Sequence, residues 1–266
     1  MISRRAYKHF YDSVDRETLY SIENSTEAHP FFPSLSAFIE KWGLREKKCL
    51  EIGSAKGLFQ DTVEDYTGID IAETLARHYH KSFYCASDAH LPFPDSSFDA
   101  IFTYATHEHI PDIENALEEI IRVLKPGGVC LFAPAWHTRS WFAQGLAVRP
   151  YADLTFSERF KKLGIPFRDF FLVRWSFVFF RRALRLLLYL KSPHKIPLRY
   201  RKLKANYEIF WQSDSDACNS LDPFDVILWL RSRGIFCSHY QSLLRTILVR
   251  TFNLEFQKPP TRSVTQ

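Results

Sequence analysis

Short apolar runs alternate with segments of helical periodicity through the first half of the chain. Over residues 34–42 large apolar side chains recur at helical spacing, and Gly43 follows as a stop signal. A second helix is predicted over 113–124. Strands are predicted over 49–52, 66–71, 83–89, 98–103 and 129–134. Alternating strands and helices are typical of an α/β fold with a parallel sheet, and here they predict a Rossmann-like domain.

The same pattern returns near the end of the chain. Asp222 and Pro223 are a good N-cap and first helical residue for a helix over 224–233. The segments 247–250 and 254–257 are predicted to pair as a closing β-hairpin, which would complete a seven-stranded sheet. The long stretch between the fifth strand and this helix is predicted to be an insertion, because α/β folds place specificity elements on connecting loops.

A small-residue turn, Gly53-Ser54-Ala55-Lys56-Gly57, follows the first predicted strand, and the acid Glu51 precedes it. A strand, a tight turn and a helix in that order present backbone N–H groups to a ligand in open α/β sheets. A dinucleotide fingerprint needs small residues at the first, third and sixth places, and the sixth place here is Leu58. The spacing therefore disfavours an NAD-dependent oxidoreductase.

A second acid, Asp70, ends the second predicted strand. It lies 17 residues after Gly53, close to the about 20 expected of a carboxylate that reaches a ribose diol. A carboxylate suits that position because it can accept hydrogen bonds from both hydroxyls. The alternative is that Asp70 caps a helix that begins near Ala72. The spacing favours ribose binding.

Three further motifs follow in series: Phe98-Asp99-Ala100-Ile101, then Glu108-His109-Ile110-Pro111-Asp112, then Arg122-Val123-Leu124-Lys125-Pro126-Gly127-Gly128. Together with the glycine turn they resemble the small-molecule (type 11) branch of class I S-adenosyl-L-methionine-dependent methyltransferases. The resemblance covers residues 48–134, and the order of four motifs is more specific than any one of them. One departure is Ala55, where the family usually has glycine; alanine is harmless there only if its φ is negative.

The resemblance implies that S-adenosylmethionine lies across the carboxyl ends of the strands of a seven-stranded sheet with helices on both faces. The resemblance implies that the methionine end is bound by Glu51, Gly53, Ser54 and Gly57. It implies that Asp70 with Ile71 binds the ribose and that Asp88 and Ala89 bind adenine. Thr103 and Tyr104 would line the site beneath the sulfonium.

The implied activity is methyl transfer to a small-molecule or lipid-linked acceptor, with oxygen as the expected atom. The expected mechanism is in-line displacement, helped mainly by positioning of donor and acceptor. A non-catalytic relative that serves as a peripheral membrane or partner-binding module is the alternative. The chain has no Asn-Pro-Pro-Tyr after the fourth strand, which speaks against an enzyme that methylates nucleic-acid amines.

Two histidines, His107 and His109, follow the fourth strand. Either could be a general base that takes a proton from an oxygen nucleophile, and His107 is the better candidate. The alternative is a hydrogen-bonded loop histidine without a catalytic role. Two imidazoles with no cysteine nearby are a poor ligand set for a metal, and no metal site is predicted.

The chain has 266 residues, of which 46% are hydrophobic, and its net charge is +5. Between Arg159 and Lys204, fourteen Lys or Arg face one acid, Asp169, a local charge of +13 that leaves the rest of the chain acidic. The basic character therefore belongs to one segment.

Within that segment, 170–190 is mostly apolar, and Arg174, Arg181 and Arg185 align on a helical wheel with Arg182 beside them. This pattern predicts a helix that lies in the plane of an anionic membrane surface, with residues 159–204 as the segment that contacts the membrane. A lid over a hydrophobic substrate is the variant of this prediction. The alternatives are a helix that docks on the domain with its arginines reaching solvent, or arginines that cover the acidic core domain of the same chain. Leu and Phe between the arginines make nucleic-acid binding a poor fit.

The N-terminus shows no signal-peptide pattern, and no apolar run is long enough to span a membrane. The five cysteines are scattered, and we expect buried thiols in a reducing compartment, in a cytoplasmic protein that could be peripheral at the membrane. The predicted divisions are a flap and lead-in helix (1–47), a cofactor-binding core (48–134), a basic and aromatic insertion (135–221), the end of the core (222–258) and a tail (259–266). The oligomeric state is left open.

Overall fold

The computed structural model describes residue 11 and residues 25–86, 90–143, 145–206, 215–240, 242–249 and 251–260. Its strands are β1 (Cys49–Ile52), β2 (Tyr66–Asp70), β3 (Ser82–Cys85), β4 (Phe98–Tyr104), β5 (Leu124–Ala133), β6 (Arg201–Lys202), β7 (Asn219–Ser220), β8 (Phe236–Cys237) and β9 (Leu254–Gln257). Its α-helices are α1 (Phe32–Trp42), α2 (Ile113–Val123), α3 (Ser140–Ala143), α4 (Phe156–Leu163), α5 (Ile165–Asp169), α6 (Phe171–Lys191), α7 (Pro223–Arg231) and α8 (Leu243–Ile247).

Seven strands form the main sheet, in the order β3-β2-β1-β4-β5-β9-β8, and β6 pairs with β7 separately. β1 runs parallel to both β2 and β4, β5 runs parallel to β4, and β9 is antiparallel to β5. Every residue of β1 and β2 is buried, as expected for parallel strands covered on both faces. The predicted α/β fold with a Rossmann-like seven-stranded sheet is confirmed.

The first predicted helix is confirmed as α1. Leu35, Phe38 and Ile39 are its buried residues, which explains the helical spacing of the apolar positions. Gly43 ends α1 in the left-handed conformation with a φ of 58°, which glycine adopts without steric cost. The second predicted helix is confirmed as α2, whose N-cap Asp112 accepts a hydrogen bond from the Asn115 N–H.

The helix expected directly after β1 is absent from the structure, which describes this stretch in full. Residues 54–65 form turns and bends instead, and the N–H groups of Gly57, Gln60 and Thr62 each donate to the carbonyl three residues earlier. Ala55 and Gly57 have φ values of 45° and 69°. Right-handed helices need negative φ, so these two residues exclude a helix that includes residues 55–57.

The predicted C-terminal hairpin is also wrong. Residues 243–247 are helical (α8), and β9 pairs with the long strand β5. β5 itself begins at Leu124, earlier than predicted, because Leu124 pairs with Phe98 beyond a register shift.

The five cysteines all lie in the described ranges, and none forms a disulfide. Four are buried, as predicted, but Cys85 at the end of β3 is exposed.

Contacts divide the chain into two compact units. Unit 1 contains residues 1–107, 112–134 and 253–266, and unit 2 contains residues 108–111 and 135–252. The predicted boundary at residue 222 is not found, because α7 packs on α6 and α8 and so belongs with the insertion.

Arg182 of α6 is buried in unit 2. It donates to Asp222 Oδ1 at 2.7 Å and to the carbonyl oxygens of Ile247 and Val249. Arg181 also pairs with Asp222, although its side chain is 55% exposed. The prediction that the arginines reach a membrane or solvent is therefore wrong for Arg182, whereas Arg181 remains accessible to solvent.

Arg185 is buried as well. Its Nε lies 3.4 Å from Asp225 Oδ1, and its Nη2 donates to the Pro197 carbonyl oxygen at 2.9 Å. Asp222 and Asp225, at the start of α7, thus pair with three arginines of α6, so the intramolecular alternative is correct for these residues. The side chain of Arg174 lies outside the described part of the structure.

The exposed side of α6 is apolar. Phe177, Phe180, Leu184 and Leu187 are 74%, 72%, 59% and 65% exposed. At 100° per residue these four side chains lie within about 80° on the helical wheel, so they form one stripe. We call these four residues the apolar stripe.

Candidate functional site

The candidate site lies in unit 1, where β1, β2 and β4 end side by side. Ile52, at the end of β1, pairs with Ile69 of β2 and with Thr103 of β4. Because these strands are parallel, the segments that follow them emerge at the same edge of the sheet. Most of the predicted site residues of this unit therefore lie at one edge.

The turn after β1 is closely packed at both glycines. A Cβ atom at Gly53 would lie 2.0 Å from the Thr106 side chain, and one at Gly57 would lie 2.6 Å from the Tyr79 ring. Both glycines also have positive φ, at 70° and 69°. Neither position accepts a larger residue without a rearrangement, so the two glycines are required by this turn.

Ala55, where the resembled family usually has glycine, has a left-handed backbone with φ of 45°. A side chain in this conformation costs about 1–2 kcal/mol relative to glycine. The Ala55 N–H donates to Asp70 Oδ2 at 3.0 Å. This hydrogen bond helps to hold Ala55 in its strained conformation. The turn is therefore less stable with alanine at this position than it would be with glycine.

Tyr79 stabilises the same turn through hydrogen bonds of its hydroxyl group. Its hydroxyl lies 2.7 Å from Ser54 Oγ and within hydrogen-bond distance of the Ser54 and Ala55 carbonyl oxygens. Ser54 Oγ in turn donates to the Ile69 carbonyl oxygen at 3.2 Å. Ser54 is buried and links the ends of β1 and β2. Tyr79 could not be identified from the sequence, because no motif or periodicity distinguishes this tyrosine from the others.

Glu51 carries a buried carboxyl group within β1, beside the turn. The Tyr66 hydroxyl donates to its Oε2 at 2.5 Å. Burial raises the pKa of Glu51 to about 8, and the negative charge of Asp70 adds to the increase, although the Tyr66 hydrogen bond lowers the pKa. A cation bound beside Glu51 would favour its ionised form.

Asp70 connects the segments that follow β1 and β2. Its Oδ2 accepts from the Ala55 N–H at 3.0 Å, and its Oδ1 accepts from the Ala72 N–H at 3.1 Å. The short 3₁₀ helix over residues 73–78 has Ala72 as its N-cap residue, without a side-chain cap, so the helix-cap alternative does not hold. Carboxylate oxygens can accept more than one hydrogen bond each, which leaves ribose binding by Asp70 as a prediction.

Three other predicted cofactor positions follow β2 and β3. Ile71 comes directly after β2 and is partly exposed. Asp88 and Ala89, predicted to contact adenine, lie outside the described residues.

The two residues predicted beneath the sulfonium differ in exposure. Thr103 is buried, and its Oγ1 lies 3.1 Å from His107 Nδ1. Tyr104 is partly exposed, and its ring stacks on Phe31 at 4.9 Å and meets His29 edge-on at 5.1 Å. Of the two, Tyr104 is the side chain that a ligand can reach.

The segment 25–32 packs over this edge of unit 1. Thr26 Oγ1 donates to the Leu58 carbonyl oxygen at 2.8 Å, and the rings of His29 and Phe31 contact Phe59 at 5.0 and 5.7 Å. The flap predicted within residues 1–47 stays a prediction, and these contacts give the position of its described part.

His107 is fully buried in unit 1. Its ring packs edge-on against Phe132 at 4.7 Å, and burial lowers its pKa to about 3. A general base works best with a pKa near the operating pH, and a buried neutral imidazole of this kind is a weak base. The structure therefore favours the non-catalytic alternative for His107.

His109 belongs to unit 2 and lies between two buried acids. Its Nδ1 is 3.3 Å from Asp216 Oδ2, and its Nε2 is 3.6 Å from Glu108 Oε1. The two candidate histidines thus belong to different units. A search of the described residues finds no group of three or more acids, histidines or cysteines that could hold a metal ion.

Comparison with known proteins gives a family match over the core of unit 1. Residues 50–132 match the family model described as "Methyltransferase domain". The sterol 24-C-methyltransferase erg6 of Aspergillus fumigatus is 47% identical over 58 residues, which are 22% of this chain and 15% of that protein. The demethylmenaquinone methyltransferase of Tropheryma whipplei is 33% identical over 108 residues, 36% of this chain and 45% of that protein.

A third relative, the chloroplastic tocopherol O-methyltransferase of Arabidopsis thaliana, is 26% identical over 41% of this chain and 31% of its own length. The chain thus spans less than half the length of these relatives. Among solved structures, the YcgJ protein of Bacillus subtilis is 26% identical, with a TM-score of 0.38, over 43% of this chain and 57% of that chain. An S-adenosylmethionine-dependent methyltransferase from Aquifex aeolicus is 19% identical, with a TM-score of 0.39, over 47% of this chain and 76% of that chain.

Proposed function

We propose that this protein transfers a methyl group from S-adenosylmethionine to an acceptor, because residues 50–132 match the family model described as "Methyltransferase domain". The observation that carries the proposal is the position of Glu51 and Asp70 on adjacent parallel strands, beside the glycine turn. S-adenosylmethionine, when bound, supplies an activated methyl group. The chain's own part is to bind and orient the donor and the acceptor.

The residues at this edge fit the proposed cofactor. Glu51 is a buried acid with a raised pKa, and a cationic α-ammonium group beside it would offset the cost of its burial. Asp70 is held by two backbone N–H groups, and each of its carboxylate oxygens can still accept a hydrogen bond from a hydroxyl group of a diol. The Tyr79 hydroxyl keeps the turn between them in shape.

Calorimetry with S-adenosylhomocysteine and with NAD tests the cofactor. We expect S-adenosylhomocysteine to bind and NAD not to bind. Asp70→Asn should weaken S-adenosylhomocysteine binding by about 1.5–3 kcal/mol, the range for hydrogen bonds to a charged group. Asp61→Asn, at an exposed acid after the glycine turn, is the matched control and should leave affinity unchanged. Binding of NAD alone would overturn the proposal.

The proposed acceptor is an apolar small molecule or a lipid-linked one, methylated at oxygen. The names of the relatives, which refer to sterols, demethylmenaquinone and tocopherol, support an apolar acceptor. Incubation of the full chain with ¹³C-methyl-labelled cofactor and separate lipid and aqueous extracts tests the acceptor class. The ¹³C shift of the transferred methyl group distinguishes oxygen from carbon, and label confined to the aqueous extract would contradict an apolar acceptor.

We further propose that unit 2 docks on an anionic membrane surface through the apolar stripe of α6. Phe156, Phe160, Leu163 and Phe167 of α4 and α5 are also exposed large apolar residues of this unit. Burial of one Phe or Leu side chain contributes about 1.5–3 kcal/mol, so a few of them can offset the cost of immobilisation. Among the helices of the described ranges, none is both long and apolar enough to cross a membrane.

Sedimentation with vesicles of phosphatidylcholine and phosphatidylglycerol tests the docking. The double variant Phe180→Gln/Leu184→Gln should lower the bound fraction about tenfold or more, whereas Phe236→Gln, an exposed apolar residue elsewhere in unit 2, should not. Charge reversal at Arg181 or Arg185 is unsuitable as a test, because these residues pair with Asp222 and Asp225. Intact protein that stays in the supernatant would rule out this membrane role.

A further inference from the structure

Unit 2 contains a cavity of about 220 Å³ that is lined by four arginines, Arg181, Arg185, Arg199 and Arg201. Two of them come from α6, and Arg201 lies on β6 opposite Ser220 of β7, which also lines the cavity. The remaining lining includes Asp222 and Asp225 at the start of α7.

The positive charge around this cavity exceeds the negative charge. Asp222 pairs with Arg181 and with the neighbouring Arg182, and Asp225 pairs with Arg185. Arg199 and Arg201 are exposed, and within the part of the chain that the structure describes neither contacts a carboxylate. Among the described residues that line the cavity, four guanidinium groups and two carboxylates leave an excess of two positive charges.

The pKa shifts at the cavity wall go in both directions. The pKa of Arg185 is lowered by its burial and by the like charge of Arg199, although Asp225 opposes the shift. Asp222 keeps a lowered pKa despite its burial, because Arg182, His137 and Arg181 outweigh the loss of solvent. The pKa of Asp225 is raised to about 6 by its burial and by Asp222, which the nearby arginines offset only in part. The preference for a negative group therefore rests on the number and position of the arginines around the cavity.

Size and chemistry restrict the ligand. Cavities that enclose drug-sized molecules measure about 300–1,000 Å³, so this one suits a small head group whose remainder extends outside. The planar fork of an arginine matches the oxygen atoms of phosphate with two parallel hydrogen bonds. A singly charged carboxylate would neutralise less of the excess charge than a phosphate dianion.

We propose that this cavity binds the phosphate group of a phosphorylated ligand, as a phosphomonoester or a diphosphate. Arg199 and Arg201 would contact its oxygen atoms directly, because they are exposed and are not engaged by carboxylates of the described chain. Arg185, held by Asp225 and the Pro197 carbonyl, would supply a fixed positive charge at the cavity wall.

Calorimetry on the full chain tests the site with three probes: inorganic pyrophosphate, monomeric dihexanoyl phosphatidic acid, and dihexanoyl phosphatidylcholine as the control lipid. We expect pyrophosphate or phosphatidic acid to bind and phosphatidylcholine not to bind. The double variant Arg199→Gln/Arg201→Gln should weaken that binding about tenfold or more. The matched control Lys161→Gln/Lys191→Gln removes the same charge from exposed lysines outside the cavity and should change affinity less than about twofold.

The ranking of the probes identifies the source of the phosphate. Tighter binding of phosphatidic acid indicates a lipid head group, and tighter binding of pyrophosphate indicates a soluble phosphate. Equal losses in the two double variants would show a non-specific charge effect and overturn the proposal. Absence of binding by both phosphate probes at about 10 mM would also overturn it. Because no readout involves methyl transfer, the test is independent of the proposed activity.

Discussion

The raised pKa of Glu51 makes cofactor binding depend on pH in a way that can be calculated. With a pKa of about 8, roughly 1% of Glu51 is ionised at pH 6 and about half at pH 8. If the α-ammonium group of S-adenosylhomocysteine binds only to the ionised form, affinity should rise about 50-fold between these pH values. That ratio corresponds to about 2.3 kcal/mol of binding free energy.

The variant Glu51→Gln separates this effect from others. Its affinity should be nearly constant from pH 6 to 8, no higher than that of the wild type at pH 6, and therefore at least about 50-fold weaker than that of the wild type at pH 8. Calorimetry at both pH values measures the four affinities. 5′-Methylthioadenosine lacks the ammonium group, and its binding to the wild-type protein should not change over the same range.

Thermal unfolding of the ligand-free proteins provides the folding control. The folded-state pKa of Glu51 lies above its unfolded value of 4.5, so the folded protein binds the extra proton and its stability falls as pH rises from about 4.5 to about 8. Glu51→Gln removes this loss and should be at least as stable as the wild type at pH 8. The reasoning is refuted if the variant keeps the 50-fold pH dependence, or if 5′-methylthioadenosine shows it too.

Three further perturbations test individual contacts. Ala55→Gly should raise the free energy of unfolding in urea by about 1 kcal/mol, because it relieves a backbone at φ of 45°, whereas the same change at the helical Ala116 should lower it. Asp222→Ala should lower that free energy by about 3–5 kcal/mol, since Arg182 would stay buried without its carboxylate; an unchanged melting curve would contradict the buried pair. His107→Asn should lower the melting temperature and change turnover only a few-fold; a loss of about 100-fold with normal stability and cofactor affinity would return His107 to the role of base.

The first five strands of the sheet could be predicted because their signals are local. Buried parallel strands appear as apolar runs, and Gly53 and Gly57 mark positive φ directly in the sequence. The left-handed conformation of Ala55 cannot be predicted from the sequence, because it depends on a hydrogen bond to Asp70 and alanine usually has negative φ. The sequence therefore favours a helix after β1 where the structure has a turn.

Contacts between distant parts of the chain could not be predicted. Tyr79 fastens the glycine turn through a single hydroxyl group, and nothing near it in the sequence indicates that role. The helical wheel correctly grouped the arginines of α6 on one side. It could not show which side faces inward, because that depends on Asp222 and Asp225, about 40 residues away in the chain.

The outward position of the apolar stripe also determines how this protein behaves when it is handled in water. The helix cannot hide Phe180 and Leu184 by turning about its axis, because rotation would break the ion pairs of Arg182 and Arg185. The isolated protein should therefore behave as an amphiphile, with self-association that grows with concentration. Mild detergent should suppress that self-association and leave the fold intact, because detergent covers the same side chains without competing for the aspartates.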